Sequence, residues 1–237
     1  MDTRFWGPSA WQLFHLIAFK SEHPDDVLND MKDVLPCKFC RASTTEFVKK
    51  HPLRGDPGKW LYDIHNMVND KLRTQCADDP TVVDPGEDPT FEEVKARYSK
   101  MKPTEVPGRD FLFSIAANYP TVPEPHDMSV QRQFLHHLSK AYPFASLRKV
   151  FQKQPEPALE SRSSYMHWMY ALLKDLSEEI GASIRTYRGF AHHVAYYKSG
   201  CAKKTYHGKT CRRTKSGGST KNRDHRKTYR ESHRTLL

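Results

Sequence analysis

Cys37 and Cys40, in the stretch VLPCKFCRASTTEF at positions 34–47, are the residues whose type and spacing first point to chemistry. A C-x-x-C pair serves as half of a zinc site, as a redox dithiol, or as two inert buried thiols. Zinc needs two more Cys or His ligands at matched spacing. The single, distant Cys76, Cys201 and Cys211 form no second close pair, and His51 stands alone. A cysteine at the head of a helix faces unpaired backbone N–H groups and the positive end of the helix dipole, which favour the thiolate. Lys38 and Arg41 add positive charge nearby. Redox chemistry is the reading these features favour, with no metal expected.

The second constellation is HNMVN, His65 to Asn69. On a helix His65 and Asn69 lie four apart on one face, and Asn66 and Lys71 extend that polar edge beside the apolar stripe of Trp60, Ile64 and Val68. Such a face is either solvated or filled by something polar and flat, because unpaired polar groups against an apolar wall are unfavourable.

Helical spacing supplies the elements that must position these groups. Trp11, Phe14, His15 and Ala18 recur three and four apart, with a helix expected to begin at Ser9 after Pro8 and Trp6 anchoring its approach. A second helix is expected over Asp25 to Val34, a third from the C-x-x-C to about Lys50, and a fourth over residues 59–73, where Trp60, Ile64, Val68 and Leu72 form one stripe. Four such helices with short connections make a bundle. Residues 77–90 are acidic and proline-rich and read as a loop, and helical pattern resumes from Phe91 to Lys102.

The order of landmarks then repeats. The segment from Phe111 parallels that from Trp11, residues 133–155 parallel residues 26–52, and the segment from Tyr165 parallels that from Trp60. Phe144 stands where Cys37 would be, and no cysteine follows it. Either the chain holds a degenerate duplication, or two unrelated four-helix segments share a common pattern. His167, Trp168, His192 and His193, in this second part, read as helix-face and interface residues. Residues 198–237 hold 13 Lys and Arg against 2 acidic residues, so this tail carries +11 of a total of +10, and the other 197 residues carry −1. Its Gly, Ser, Lys, Arg and His content is that of a segment disordered alone. No window approaches the ~20 apolar residues of a membrane span and no export signal opens the chain, so no membrane association is expected.

Taken together, W-G-P-S-A-W-x-x-x-H-x-x-A at Trp6 to Ala18, P-C-x-x-C at Pro36 to Cys40, and W-x-x-x-x-H-N-x-V-N-x-K-L at Trp60 to Leu72 resemble the FAD-dependent sulfhydryl oxidases of the Erv/ALR family. The likeness covers residues 4 to about 76. It implies an all-α fold: a four-helix FAD-binding bundle over residues 1–103, then a second, degenerate helical domain over 104–197 like the pseudo-Erv domain of quiescin sulfhydryl oxidases, then the basic tail of 198–237. It implies that the Cys37–Cys40 disulfide lies against the flavin, Cys40 next to the ring and Cys37 exchanging with an incoming dithiol. Gly7, Trp11, His15, His65, Asn66, Val68, Asn69 and Lys71 would line the cofactor, and Tyr98 and Lys95 are weaker candidates for its adenine end.

The family's second, structural disulfide is expected to be missing: Cys76 could supply one sulfur, but Glu92 occupies the neighbourhood of its partner. Cys201 and Cys211 are candidates for a shuttle disulfide, or else are incidental. The implied function is oxidation of protein dithiols at the expense of oxygen, which gives hydrogen peroxide. A homodimer is implied too, with an acidic partner or nucleic acid for the tail. The large-DNA-virus type fits best, placing the protein in the host cytoplasm and virion, with the mitochondrial intermembrane space as the alternative. The competing class is a non-catalytic virion or interaction protein that keeps the fold.

Overall fold

A computed structural model describes residues 2–78 and 82–197. The basic tail, with Cys201 and Cys211, lies outside the described residues. Among them the structure is all helical: α1 Thr3–Lys20, α2 Asp25–Val34, α3 Lys38–Lys50, α4 Pro57–Asp78, α5 Phe91–Lys100, α6 Arg109–Asn118, α7 Pro125–Ala141, α8 Ala145–Gln152, α9 Arg162–Glu179 and α10 Tyr187–Tyr197.

Local chemistry sets most helix ends. Thr90 and Glu93 form a capping box at the head of α5, and Asp56 accepts the N–H groups of Gly58 and Lys59 at the head of α4. Leu35 and Tyr142, each extended before a proline, stop α2 and α7.

The start of α1 corrects the sequence reading. The helix begins at Thr3, capped by the Asp2 carboxylate on Arg4 N (3.0 Å), and runs through Pro8. The proline forfeits only the bond to the Arg4 carbonyl, close enough to the helix start to be tolerated. Ser9 is a cap, but for another helix. Its Oγ accepts the N–H groups of Asp110 (3.1 Å) and Phe111 (3.3 Å), the second and third residues of α6. The N-cap of α6 is Gly108, which has no side chain and sits at φ 76°. A Cβ there would meet Leu13 of α1 at 2.5 Å, so glycine is required both by conformation and by the close approach of α1.

The helices pair in a repeating order. In the first half α1 packs on α4 and α5, α2 on α3, and α3 on α4. In the second half α6 packs on α9 and α10, α7 on α8, and α8 on α9. The halves meet like to like, α1 against α6 and α2 against α7, and one continuous cluster of buried side chains runs through both, from Phe5 to Val194. Across the α2–α7 contact the buried Asp30 carboxylate accepts from Gln133 Nε2 (2.8 Å) and His137 Nδ1 (2.7 Å). Phe144 is the N-cap of α8, as Cys37 is of α3, and it alone among the described non-glycine residues has a positive φ, 66°.

The expected stripe along α4 is only half core. Trp60, Leu61 and Ile64 are buried, whereas Val68 and Leu72 are half-buried. Past Ile64 the helix outruns the core, and the segment before α5 folds back on it instead.

Candidate active site

The C-x-x-C opens α3 as the sequence predicts. Cys37 is the N-cap residue and Cys40 lies in the first turn. Cys37 is 2% exposed, and Cys40 is half-buried. The turn before them is fixed by Arg41, whose guanidinium donates to the Leu35 carbonyl at 2.5 Å. One turn beyond Cys40, Ser43 donates to the Phe39 carbonyl (2.9 Å) and accepts a hydrogen bond from Lys71 Nζ of α4. The cysteine turn and the H-N-x-V-N helix are thereby joined through Lys71.

The second junction is between histidines. His15 Nε2 of α1 and His65 Nδ1 of α4 share a hydrogen bond of 3.0 Å. Trp11 stacks on His65, with centroids 3.9 Å apart and planes at 12°, and Tyr98 of α5 stacks on His15 at 4.7 Å and 18°. Phe19 extends the stack along α1, and its ring packs where a Cβ on Gly58 would stand, 2.4 Å away, so that glycine lets α1 and α4 approach.

Burial drives the His65 pKa down to about 4, opposed by the Asp88 carboxylate. It drives that of His15 well below the ordinary range, with His65 and Arg97 adding to the effect. Burial likewise pushes the Tyr98 phenol up to about 12. Both imidazoles are therefore neutral at pH 7 and share one proton between them. The outer nitrogens, His15 Nδ1 and His65 Nε2, are buried without a partner. Whichever tautomers are present, two neutral rings joined in this way present one N–H donor and one lone pair. Leaving both unpaired in a buried site is unfavourable, and a flat ligand with its own donors and acceptors answers both.

Asn69 is buried and donates to Asp88 Oδ1 at 2.6 Å, and Asn66 and Val68 are half-buried on the same helix. Gly7 lies on α1 with open space where a Cβ would point. Lys95 lies over Phe91 rather than in the histidine stack. Cys76 donates to the Val82 carbonyl at 3.5 Å. His167 Nδ1 donates to the Ser163 carbonyl at 2.8 Å on its own helix and stacks on Tyr187, in the second half.

Sequence reasoning missed Ser43 and Asp88. Asp88 lies in the acidic segment read as a loop, and its only sequence signal was that Asn69 and Arg73, one turn apart on α4, both need an acceptor. Among the described residues no three His, Cys, Asp or Glu side chains gather where a metal would bind, and no helix is long and apolar enough to cross a membrane.

Comparison with known proteins falls on the same helices. Residues 8–85 match the model of the Erv1/Alr family. The chain is 28% identical over 85 residues to the mitochondrial FAD-linked sulfhydryl oxidase of Saccharomyces cerevisiae, covering 30% of this chain and 45% of that protein. It is 32% identical over 85 residues to a probable FAD-linked sulfhydryl oxidase of Acanthamoeba polyphaga mimivirus, covering 29% of this chain and 59% of that one. The chain thus spans about half the length of these relatives. No solved structure matches it significantly. Cys37, Cys40, His15, His65 and Lys71 all fall within the matched segment, and over residues 8–85 the chain is similar to the Erv1/Alr family.

Proposed function

We propose that the protein is an FAD-dependent thiol oxidase that forms disulfides in protein substrates. The observation that carries this reading is the His15–His65 pair, with its two buried and unpartnered ring nitrogens, tied through α4 and Lys71 to the helix that bears Cys37 and Cys40. FAD fits these residues: its rings are flat and aromatic like the Trp11 and Tyr98 surfaces, and they carry both donors and acceptors. Trp11, His15, His65, Asn69 and Lys71 would hold it, with Gly7, Asn66 and Val68 beside it. When bound, FAD supplies an acceptor for two electrons from a dithiol and passes them to dioxygen, which leaves as hydrogen peroxide.

The chain's own share is thiol exchange and orientation. A substrate thiolate attacks the oxidised pair at Cys37, forming a mixed disulfide and releasing Cys40 as thiolate. The second substrate thiol then displaces Cys37, leaving a substrate disulfide and a reduced pair. The burial of Cys37 requires the turn at Leu35 to Cys37 to open for this exchange. The partial exposure of Cys40 fits a side chain that faces the cofactor's space. Cys201 and Cys211, outside the described residues, are proposed as a shuttle that relays electrons to Cys37.

We read residues 1–103 as the oxidase domain and 104–197 as its degenerate copy. The like-to-like packing of α1 on α6 and α2 on α7, and the same order of neighbours in each half, support that division. Those contacts cover one face of α1 and α2, so self-association into a homodimer would use another surface. The basic tail is suited to an acidic protein or to nucleic acid. A mimivirus relative supports a virally encoded protein acting in the host cytoplasm or virion, while the yeast relative keeps a mitochondrial site in play.

The test is an absorption spectrum from 300 to 600 nm, followed by oxygen uptake with dithiothreitol for wild type and Cys40→Ser. Flavin bands with uptake that vanishes in the variant support the oxidase. A colourless protein that cannot be reconstituted with FAD sinks it and leaves a helical interaction module with a basic tail.

A further inference from the structure

The segment between α4 and α5 is held by a network centred on Asp88. Its Oδ1 accepts from Asn69 Nδ2 at 2.6 Å, and its Oδ2 pairs with Arg73 Nη2 at 2.6 Å. Arg73 also bonds Asp70 at 2.5 Å and the Gly86 carbonyl at 3.1 Å, and Tyr62 donates to the Pro89 carbonyl at 3.0 Å. Asn69 is 8% exposed, and the Asp88 side chain is one-fifth exposed.

The chemistry of this contact is directional. A carboxylate only accepts, so it admits only the amino end of the Asn69 amide, and the amide oxygen must turn the other way. Arg73 only donates and holds the second carboxylate oxygen, so the carboxylate is not free to rotate off the amide. Asn69 stands one helical turn after His65, on the same face, and Asp88 is close enough that His65 feels its charge.

Resting on the cofactor reading above, we infer that Asp88 is a positioning residue. It fixes the Asn69 carboxamide with its oxygen toward the cofactor, so that this site binds a hydrogen-bond donor of FAD, an N–H or a hydroxyl, and not an acceptor. Arg73 secures the arrangement by holding the other carboxylate oxygen of Asp88.

Substitutions separate orientation from simple tethering. In Arg73→Met the charged Asp88 still accepts from Asn69, and the amide keeps its direction. In Asp88→Asn only one end of the new side chain accepts. Arg73 claims that oxygen, the new amino group faces Asn69, and the Asn69 amide must flip. In the double variant the arginine no longer competes, and the oxygen of the new amide is available to Asn69 again.

The experiment titrates each apoprotein with FAD by flavin fluorescence and measures apoprotein melting alongside. The expected result is affinity within about threefold of wild type for Arg73→Met, a loss of about tenfold or more for Asp88→Asn, and recovery of at least half of that loss, on a logarithmic scale, in the double variant. A tether alone predicts the reverse order, with the double variant weakest and affinity tracking the melting temperature, and that result overturns the inference. So does an Asp88→Asn protein that binds FAD as tightly as wild type. If wild type itself binds no FAD, the cofactor reading fails and this inference with it; if wild type binds and only the variant pattern differs, the positioning role alone fails.

Discussion

Because the rings of His15 and His65 are desolvated and neutral, the protein should lose stability in mild acid for a reason that can be assigned to one residue. His65 has an ordinary pKa of 6.5 in the unfolded chain and about 4 in the folded one. Between these values the unfolded state binds more protons than the folded state, so stability is full above pH 6.5 and falls as the pH drops toward 4. At pH 5 the linkage amounts to about 1.5 pH units of unfavourable protonation, or about 2 kcal/mol at 1.36 kcal/mol per unit. His15 acts in the same direction. The assay is urea unfolding of the apoprotein at pH 7.5 and pH 5, for wild type and for His65→Asn, which cannot titrate in this range. Carboxylates and the other histidines contribute to both proteins, so the quantity of interest is the difference between their losses. Wild type should lose about 2 kcal/mol more than the variant between the two pH values. Equal losses would refute the claim that His65 is held neutral by burial.

Two further outcomes follow from the fold. Ser9→Ala removes the oxygen that caps α6 and leaves two buried N–H groups unpaired, which should lower stability by about 1 to 2 kcal/mol in urea unfolding even after the better helix propensity of alanine within α1. A loss below about 0.3 kcal/mol would mean that the bond contributes nothing. At Phe144, whose φ of 66° disfavours any residue with a Cβ, Phe144→Gly should be more stable than Phe144→Ala by about 1 kcal/mol; the same unfolding measurement decides it.

The parts of this molecule legible in its sequence are those that depend on neighbours along the chain. The bounds of α2, the head of α3 at the cysteines, and the shared face of His65 and Asn69 follow from periodicity and from prolines at Pro36 and Pro52. Contacts across long separations were not legible. Ser9 looked like the cap of its own helix because the sequence shows a serine after a proline. Its true partners are the N–H groups of Asp110 and Phe111, about a hundred residues away. Asp88 sat in a stretch whose acidity and prolines describe a loop, and nothing local tells that one of its carboxylates turns back onto Asn69. The burial of His15 was likewise hidden, because a histidine on an apolar helix face reads the same whether water or Tyr98 covers it.

These long contacts also explain why α1 is apolar on more than one side. Trp11, His15 and Phe19, at successive turns, face the α4 and α5 side and build the histidine stack. Trp6 and Phe14 meet Phe111, Leu13 meets Gly108, and Ser9 caps α6, so another side of the same helix is covered by the second half. Full burial of a large apolar side chain contributes roughly 1.5–3 kcal/mol, so Trp6, Leu13 and Phe14 together amount to a substantial fraction of the ~5–15 kcal/mol that holds a domain folded. The second half lacks the cysteine pair and the H-N-x-V-N motif, yet it forms the back wall of the helix that carries Trp11 and His15. Conformational play in α6 would be transmitted to α1 through the Gly108–Leu13 contact, where there is no spare room. A boundary between the halves can be drawn in sequence near residue 103, but the packing that fixes the histidine pair runs across it.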